Sequence, residues 1–203
     1  EYFWFDRNRP DVLQAKELND FEKALAEQGK IVEQQFYLLY PDMKTIASKG
    51  EDALEETRSL EQRGALYISQ AAFAADGFFA QSDLLHFRGG KHIDLYEIKS
   101  GSSSQVTESG ENGQVPSRKE YFDDLSFQYL VASKAGYEVD KTFLVELNKD
   151  YTRRGDHDLE QLFNISDVTI EIKQRAPAIE QLMLQARLKS TDSQQPVTCK
   201  CKY

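Results

Sequence analysis

Apolar residues in the first part of the chain recur at the spacing of an amphipathic helix. Within the first forty residues they form one stripe, made by Leu18, Phe21, Leu25, Val32, Phe36 and Leu39. We expect Gly29 to interrupt this helix and Pro41 to end it. An acidic segment at residues 53–63 predicts a second helix with a solvated charged face.

The pattern then changes to the alternation that is typical of strands. Residues 65–73 predict one strand, and the turn sequence Ala75-Asp76-Gly77 leads into another that begins at Phe78. Two apolar runs, residues 78–87 and 93–98, flank a turn cluster rich in glycine and predict a hairpin. Together these segments form a predicted meander of three strands.

Helices and strands alternate in the second half as well. Residues 100–117 are polar and lack periodicity, so we expect a mobile loop there. Residues 121–135 predict a helix, 141–147 and 168–172 predict strands, and 178–189 predict a closing helix before a flexible tail at 190–203. This order indicates an α/β fold, with a mixed central β-sheet flanked by helices, in a single domain at residues 1–203.

Composition narrows the class of protein. A length of 203 residues with 40% apolar content suits one globular domain with its own core. No run approaches the roughly 18 apolar residues of a membrane span. No basic leader precedes an apolar stretch at the start, so we expect a soluble, cytoplasmic protein without a membrane partner.

The net charge of -9 argues against a passive nucleic-acid coat, because phosphate binding draws on clustered lysine and arginine. It does not exclude a nuclease, since metal sites are themselves acidic. Basic residues recur in pairs that are either ordinary surface or phosphate clamps, namely Arg88 with Lys91, Arg118 with Lys119, and Arg153 with Arg154.

The predicted hairpin carries the most informative chemistry. If its loop has an odd length centred on Gly90, Asp83 lies directly opposite Glu97, and alternation brings Lys99 to the same face. A two-residue loop at Gly89-Gly90 would shift the register by one and send Asp83 to the other face. In the first register, two carboxylates and an ammonium form the minimal set for metal-assisted phosphodiester hydrolysis.

The acid-x-lysine triplet alone carries no information. It occurs three times, about as often as composition predicts, as Asp42-Met43-Lys44, Glu97-Ile98-Lys99 and Glu171-Ile172-Lys173. Only the central triplet has a hairpin and a preceding acid. The alternative interpretation is a surface salt bridge between Glu97 and Lys99 on an exposed sheet face.

With Asp83 and Glu97-Ile98-Lys99 in place, the chain resembles the PD-(D/E)XK nuclease superfamily, specifically the RecB-like branch near the CRISPR-associated iron-sulfur exonucleases. The likeness covers stretches at residues 29–41, 70–85, 96–100, 123–129 and 147–151. It implies a restriction-endonuclease-like core and a Mg²⁺- or Mn²⁺-dependent deoxyribonuclease of exonuclease type, with DNA as its partner. Asp83 and Glu97 would be metal ligands together with the Ile98 carbonyl, and Lys99 would orient or activate water.

The resemblance also assigns two residues on helices. Glu33 would match the acid of the first core helix, and Gln128 the helix glutamine that approaches the site. Without the family, the residues themselves indicate a solvent-facing carboxylate and a polar flank residue. Two positions depart from the family pattern: Ser82 replaces the proline before Asp83, and Ala132 stands where many RecB-like members have a tyrosine.

The cysteines, Cys199 and Cys201, gain an interpretation from the same resemblance. Related iron-sulfur members hold a cluster with one cysteine near the amino end and three near the carboxyl end. Two thiolates cannot complete a four-ligand site. We therefore expect the sequence to be a piece of a longer protein, in which a full-length form completes the cluster. The alternative is two free thiols on a flexible tail.

Two further functions stay open beside the nuclease. One is a catalytically silent nucleic-acid-binding or assembly module that retains the nuclease fold, which the acidic balance and the missing cysteines favour. The other is a restriction-type endonuclease with sequence recognition, for which no distinct recognition region is apparent. Asp83, Glu97 and Lys99 together favour the nuclease.

Overall fold

The computed structural model of the protein describes residues 19–100, 118–153, 155 and 158–191. In chain order its elements are α1 (Asp20–Tyr37), β1 (Lys44–Thr45), α2 (Glu51–Gln62), β2 (Tyr67–Ala75), β3 (Phe78–Gly89), β4 (His92–Lys99), α3 (Arg118–Lys134), β5 (Glu138–Leu147), α4 (Leu159–Leu162), β6 (Phe163–Asp167) and α5 (Thr169–Thr191). The predicted mobile loop after Ser100, and the tail with Cys199 and Cys201, lie outside the described residues.

The six strands form one mixed sheet in the order β1 to β6. β2, β3 and β4 are the predicted antiparallel meander, β1 is parallel to β2, β5 is parallel to β4, and β6 is antiparallel to β5. A parallel pair needs a crossover connection, and α3 lies between β4 and β5 in the chain. The predicted α/β class, a mixed sheet flanked by helices, is confirmed.

Apolar residues on the two faces of the sheet form two separate cores. Between α1 and the sheet, one core contains Val32, Phe36, Leu84, Tyr96, Ile98, Val145 and Phe163. On the other face, α3 and α5 cover a larger core that contains Leu85, Leu95, Leu125, Val131, Leu144 and Ile172. Consecutive residues of a strand point to opposite faces. This alternation explains why neighbours such as Leu84 and Leu85 belong to different cores.

The turn between β2 and β3 follows its sequence. Asp76 and Gly77 both have positive φ, at 54° and 82°. That pair of conformations is the two-residue turn that joins strongly twisted antiparallel strands, and Asp-Gly is among its preferred sequences. The predicted turn is confirmed.

The register of the β3–β4 hairpin is the predicted one in its body. Leu84 pairs with Tyr96, which is the register of a loop centred on Gly90. The loop itself is shorter than predicted, because Gly89 already pairs with His92. A β-bulge just before Gly89 shifts the register by one residue. The bulge, rather than a loop of odd length, therefore produces the expected register up to Leu84 and Tyr96. The ladder ends there, so Asp83 and Glu97 do not pair directly as predicted.

α1 begins at a capping box, in which Asn19 and Glu22 exchange hydrogen bonds between side chain and backbone, both at 2.9 Å. The helix then continues through Gly29 to Tyr37. The predicted interruption at Gly29 is wrong. One glycine inside a helix costs about 1 kcal/mol, which burial of Val32 and Phe36 offsets.

The strand predicted at residues 168–172 is also wrong, because these residues enter α5 and the strand β6 precedes them. The carboxylate of Asp167 accepts a hydrogen bond from the backbone N–H of Thr169 at 3.1 Å, which satisfies a donor at the helix start. Val168 and Ile172 are buried four residues apart, at helical spacing. Although α5 has 23 residues, no helix in the described ranges combines the length and apolarity needed to cross a membrane.

Candidate active site

The regular pairing of β3 with β4 ends at Leu84 and Tyr96, and ionisable side chains collect beyond that point. Asp83 is the next residue of β3. Its carboxylate oxygen Oδ2 accepts a hydrogen bond of 2.7 Å from the backbone N–H of Ile98. Asp83 is thereby held against the segment of β4 that carries Glu97.

Glu97 is buried and bonded through both oxygens. Oε1 contacts the Lys99 ammonium, and Oε2 accepts a hydrogen bond of 2.6 Å from the Gln128 side-chain amide. Lys99 Nζ also lies 3.6 Å from a carboxylate oxygen of Asp124 on α3. Side chains from β4 and α3 therefore surround the Glu97 carboxylate.

Glu33 approaches the same carboxylate from α1. It is half-buried, and burial raises its pKa. The negative charge of Glu97 raises the pKa further, while the positive charge of Lys99 lowers it. Glu33 is therefore within electrostatic range of both residues, and its side chain forms a hydrogen bond with Tyr37.

Burial dominates the electrostatics of the two predicted metal ligands. It raises the pKa of Asp83 to about 7, partly opposed by the hydrogen bond from Ile98 and supported by the charge of Glu33. Burial also raises the pKa of Glu97 to about 8, and the neighbouring charge of Asp83 adds to the effect. The fold therefore keeps two carboxylates where their ionisation is costly.

For Lys99, neighbouring charges have a larger effect on the pKa than burial does. Burial lowers its pKa, but the adjacent Glu97 carboxylate and the charges of Asp83 and Asp124 outweigh burial, so the pKa of Lys99 is raised overall. Lys99 is a cation at neutral pH and is placed to counter negative charge rather than to remove a proton. One ammonium cannot compensate for several buried acids, so the carboxyl pKa values remain raised.

Four of the side chains predicted for the site converge where β3 and β4 separate, namely Asp83, Glu97, Lys99 and Gln128, and Glu33 lies within electrostatic range of them. The alternative interpretation, a surface salt bridge between Glu97 and Lys99, is wrong because this pair is not on an exposed surface. The Glu97 side chain is only 4% exposed and the Lys99 side chain is 23% exposed. Gln128 is buried beside Glu97 and is not a polar flank residue. Ile98 supplies its N–H to the site, and a role for its carbonyl stays a prediction.

The donor chemistry of this site fits a hard divalent cation, because Mg²⁺ and Mn²⁺ prefer carboxylate and amide oxygens. The buried Oε1 of Gln128 has no hydrogen-bond partner within the described residues. This amide oxygen is available as a further oxygen donor next to Glu97. Glu97 itself is satisfied by Lys99 and Gln128, so a cation would compete with Lys99 for its oxygen.

Several residues at the site were not predicted from the sequence. Tyr37 lies four residues after Glu33, and Asp124 four residues before Gln128, so helical spacing alone was a usable signal for both. Glu146 on β5 had no such signal. It pairs in register with Lys99, is buried, and its raised pKa follows from burial, opposed by Arg118 at 3.9 Å.

Both residues of the basic pair at the hairpin tip form ion pairs with acids. Arg88 contacts Asp94 at 3.2 Å, and Lys91 contacts Glu61 at 2.6 Å. These contacts favour the interpretation of an ordinary surface over that of a phosphate clamp. In the pair Arg153 and Arg154, the second residue lies outside the described residues.

A second ionisable cluster lies at the start of β4. His92 Nδ1 lies 3.0 Å from Asp140 and Nε2 lies 3.6 Å from Glu138. Within the described part of the chain, it is the one group of three such residues whose possible ligand atoms all lie within 4.8 Å of one another. Its members are largely exposed, and each carboxylate is already partnered by the imidazole.

Comparison of the sequence with models of known protein families finds no matching family, and comparison with curated proteins finds no match. Function is therefore inferred from the geometry and chemistry of these side chains.

Proposed function

We propose that the chain is a metal-dependent deoxyribonuclease with a restriction-endonuclease-like core of the RecB-like, exonuclease type. The observation that supports this most is the meeting of Asp83, Glu97 and Lys99 where β3 and β4 separate. Glu33 and Gln128 reach the same point from helices on opposite faces of the sheet. The sequence resemblance assigns the two carboxylates as metal ligands and the lysine as the residue that orients or activates water.

Asp83 and Glu97 would hold Mg²⁺ or Mn²⁺, with the Ile98 carbonyl as a further oxygen ligand. When bound, such an ion polarises a phosphodiester and makes a bound water more acidic. Buried neighbouring carboxylates repel each other, and a divalent cation relieves that repulsion. An iron-sulfur cluster held by Cys199 and Cys201 in a full-length form stays a prediction.

The remaining side chains have distinct roles in this proposal. The Lys99 ammonium counters charge that develops on the phosphate oxygens. Gln128 orients the Glu97 carboxylate through its amide N–H. Glu33, whose pKa is raised by burial, adds a carboxylate that can accept a proton from water.

The proposal is tested with the purified chain and end-labelled DNA, single-stranded and duplex, in Mn²⁺ or in EDTA. We expect cleavage in Mn²⁺ only, reduced by a factor on the order of 100 or more in Asp83→Ala and in Lys99→Ala. Asp42→Ala and Lys44→Ala are matched controls from an exposed acid-x-lysine triplet and keep full activity. Undiminished cleavage by either site variant, with its fold intact by circular dichroism, removes that residue from the mechanism.

A second candidate function is a silent nucleic-acid-binding or assembly module. Two observations favour it: the net charge of -9, and the complete satisfaction of both Glu97 oxygens by protein groups. A silent module shows no Mn²⁺-dependent rise in melting temperature, whereas a site that binds the ion in its folded state does.

A further inference from the structure

Gln70 has an unusual backbone conformation in the middle of β2. Its φ is 57°, in the left-handed region that costs a residue with a side chain roughly 1 kcal/mol or more. Ser69 pairs with Leu84, and the register is the same beyond Gln70, so this residue lies opposite Asp83. A residue with a strained backbone therefore lies opposite a predicted metal ligand on the neighbouring strand.

Hydrogen bonds around Gln70 depart from the regular ladder. The Tyr37 hydroxyl donates to the backbone carbonyl of Asp83 at 2.9 Å, and the Gln70 side-chain amide donates to the Tyr37 oxygen at 3.4 Å. The Gln81 side chain donates to the Gln70 carbonyl at 3.2 Å. Side chains thus occupy backbone acceptors that a neighbouring strand would otherwise use.

The Tyr37 hydroxyl lies at the centre of these contacts and also forms a hydrogen bond with the Glu33 side chain on its own helix. The hydroxyl joins three elements: it is carried by α1, donates to β3 and accepts from β2. Asp83 is held on its backbone side by Tyr37 and on its carboxylate side by the N–H of Ile98.

We propose that Tyr37 and Gln70 are positioning residues for the carboxylate of Asp83. The Gln70 side-chain amide donates a hydrogen bond to the Tyr37 oxygen, and the Tyr37 hydroxyl donates to the Asp83 carbonyl. The Asp83 carbonyl then bonds Tyr37 instead of the neighbouring strand. This backbone orientation directs the Asp83 carboxylate toward the N–H of Ile98. Neither side chain needs to touch substrate or metal. The effect on catalysis rests on the proposed nuclease function, whereas the effect on Asp83 geometry does not.

Hydrogen exchange at the Ile98 amide measures the geometry independently of activity. We expect exchange to accelerate by a factor of about 10 in Tyr37→Phe and in Gln70→Gly, because the Asp83 acceptor is no longer held in place. Exchange at Leu95 should not change, since that residue lies within regular pairing. Glycine accepts the left-handed conformation, so Gln70→Gly removes the amide while keeping the backbone.

The control variant is Tyr67→Phe, which removes a hydroxyl from another half-buried tyrosine and leaves Ile98 exchange unchanged. In active enzyme, we expect Tyr37→Phe and Gln70→Gly to lower kcat by a factor of about 10 with KM nearly constant. Gln70→Asn, which tolerates a left-handed backbone and retains an amide, should recover part of kcat.

The outcomes separate this proposal from the proposed function. Unchanged Ile98 exchange in both Tyr37→Phe and Gln70→Gly overturns the positioning role, whatever the activity. Accelerated exchange with wild-type kcat in an active enzyme overturns its catalytic consequence. If the wild-type chain cleaves no DNA, the proposed function fails, while the exchange data still decide whether these residues position Asp83.

Discussion

β4 carries ionisable side chains at both of its ends, and the two groups differ mainly in their contact with water. At its start, His92 meets Glu138 and Asp140 on the surface. At its other end, Glu97 and Lys99 are enclosed by α3 and by the diverging strand β3. Similar charges thus lie in a screened environment at one end and in a weakly screened one at the other.

The physical consequences differ accordingly. A hydrogen bond to Asp140 and the charge of Glu138 raise the pKa of His92, so local partners set its titration. At the buried end, loss of water raises the carboxyl pKa values. A fold that keeps such unfavourable ionisation in one place is typical of a functional site. Exposed clusters of the His92 kind need no such explanation.

The largest expected difference concerns two lysine–glutamate pairs. Lys99→Met leaves Glu97 buried without its cation, and we expect a loss of about 2–4 kcal/mol in the free energy of unfolding at pH 8. Lys91→Met removes the partner of Glu61 at the exposed hairpin tip, where we expect less than about 1 kcal/mol. Urea denaturation without added metal measures both.

Two results would contradict this expectation. Equal losses in both lysine variants would mean that burial of Glu97 has no energetic weight. A gain of stability in Lys99→Met would mean that the desolvation of its ammonium outweighs the pairing. In 1 M salt, the loss of unfolding free energy in Lys91→Met should decrease more than the loss in Lys99→Met. The reason is that salt screens a buried ion pair less than an exposed one.

A comparable effect is expected from neutralising Asp83. Its raised pKa means that the folded state binds the proton more tightly than the unfolded state, whose pKa is near 3.9. Wild-type stability therefore falls as pH rises through the window from about 4 to about 7. Asp83→Asn does not titrate, so we expect it to exceed the wild type by up to about 4 kcal/mol at pH 8 and to match it near pH 4.

The measurement is chemical denaturation of Asp83→Asn and wild type between pH 4 and pH 8, in EDTA. Asp140→Asn, at the exposed end of β4, is the control and should show no such gain at pH 8. An Asp83→Asn variant that is less stable than the wild type at pH 8 would show that ionised Asp83 stabilises the fold, against its raised pKa.

The sequence could predict the β3–β4 hairpin because local signals determine it. Asp76-Gly77 fixes the first turn, and apolar runs on both sides of Gly90 limit the register of the second. A shift by one residue would exchange the faces of Leu84 and Leu85 and turn the half-buried His86 into a core. Burial therefore enforced the pairing even though the loop differed from the predicted one.

Other features depend on tertiary contacts that no local pattern carries. A left-handed Gln70 is unfavourable by itself, and hydrogen bonds from distant elements maintain it. Glu146 lies beside Lys99 only because β5 pairs parallel to β4. At residues 168–172, β-branched side chains indicated a strand, but the cap by Asp167 and the packing of Ile172 favour the helix.

The most direct test of the central claim is Mn²⁺ binding followed by the electron paramagnetic resonance signal of free Mn²⁺. We expect His92→Ala to bind Mn²⁺ as the wild type does and Glu97→Gln to lose the binding, because the proposed ligands lie at the buried end of β4. Undiminished binding in Glu97→Gln, with loss in His92→Ala, would place the cation at the exposed end and contradict the account.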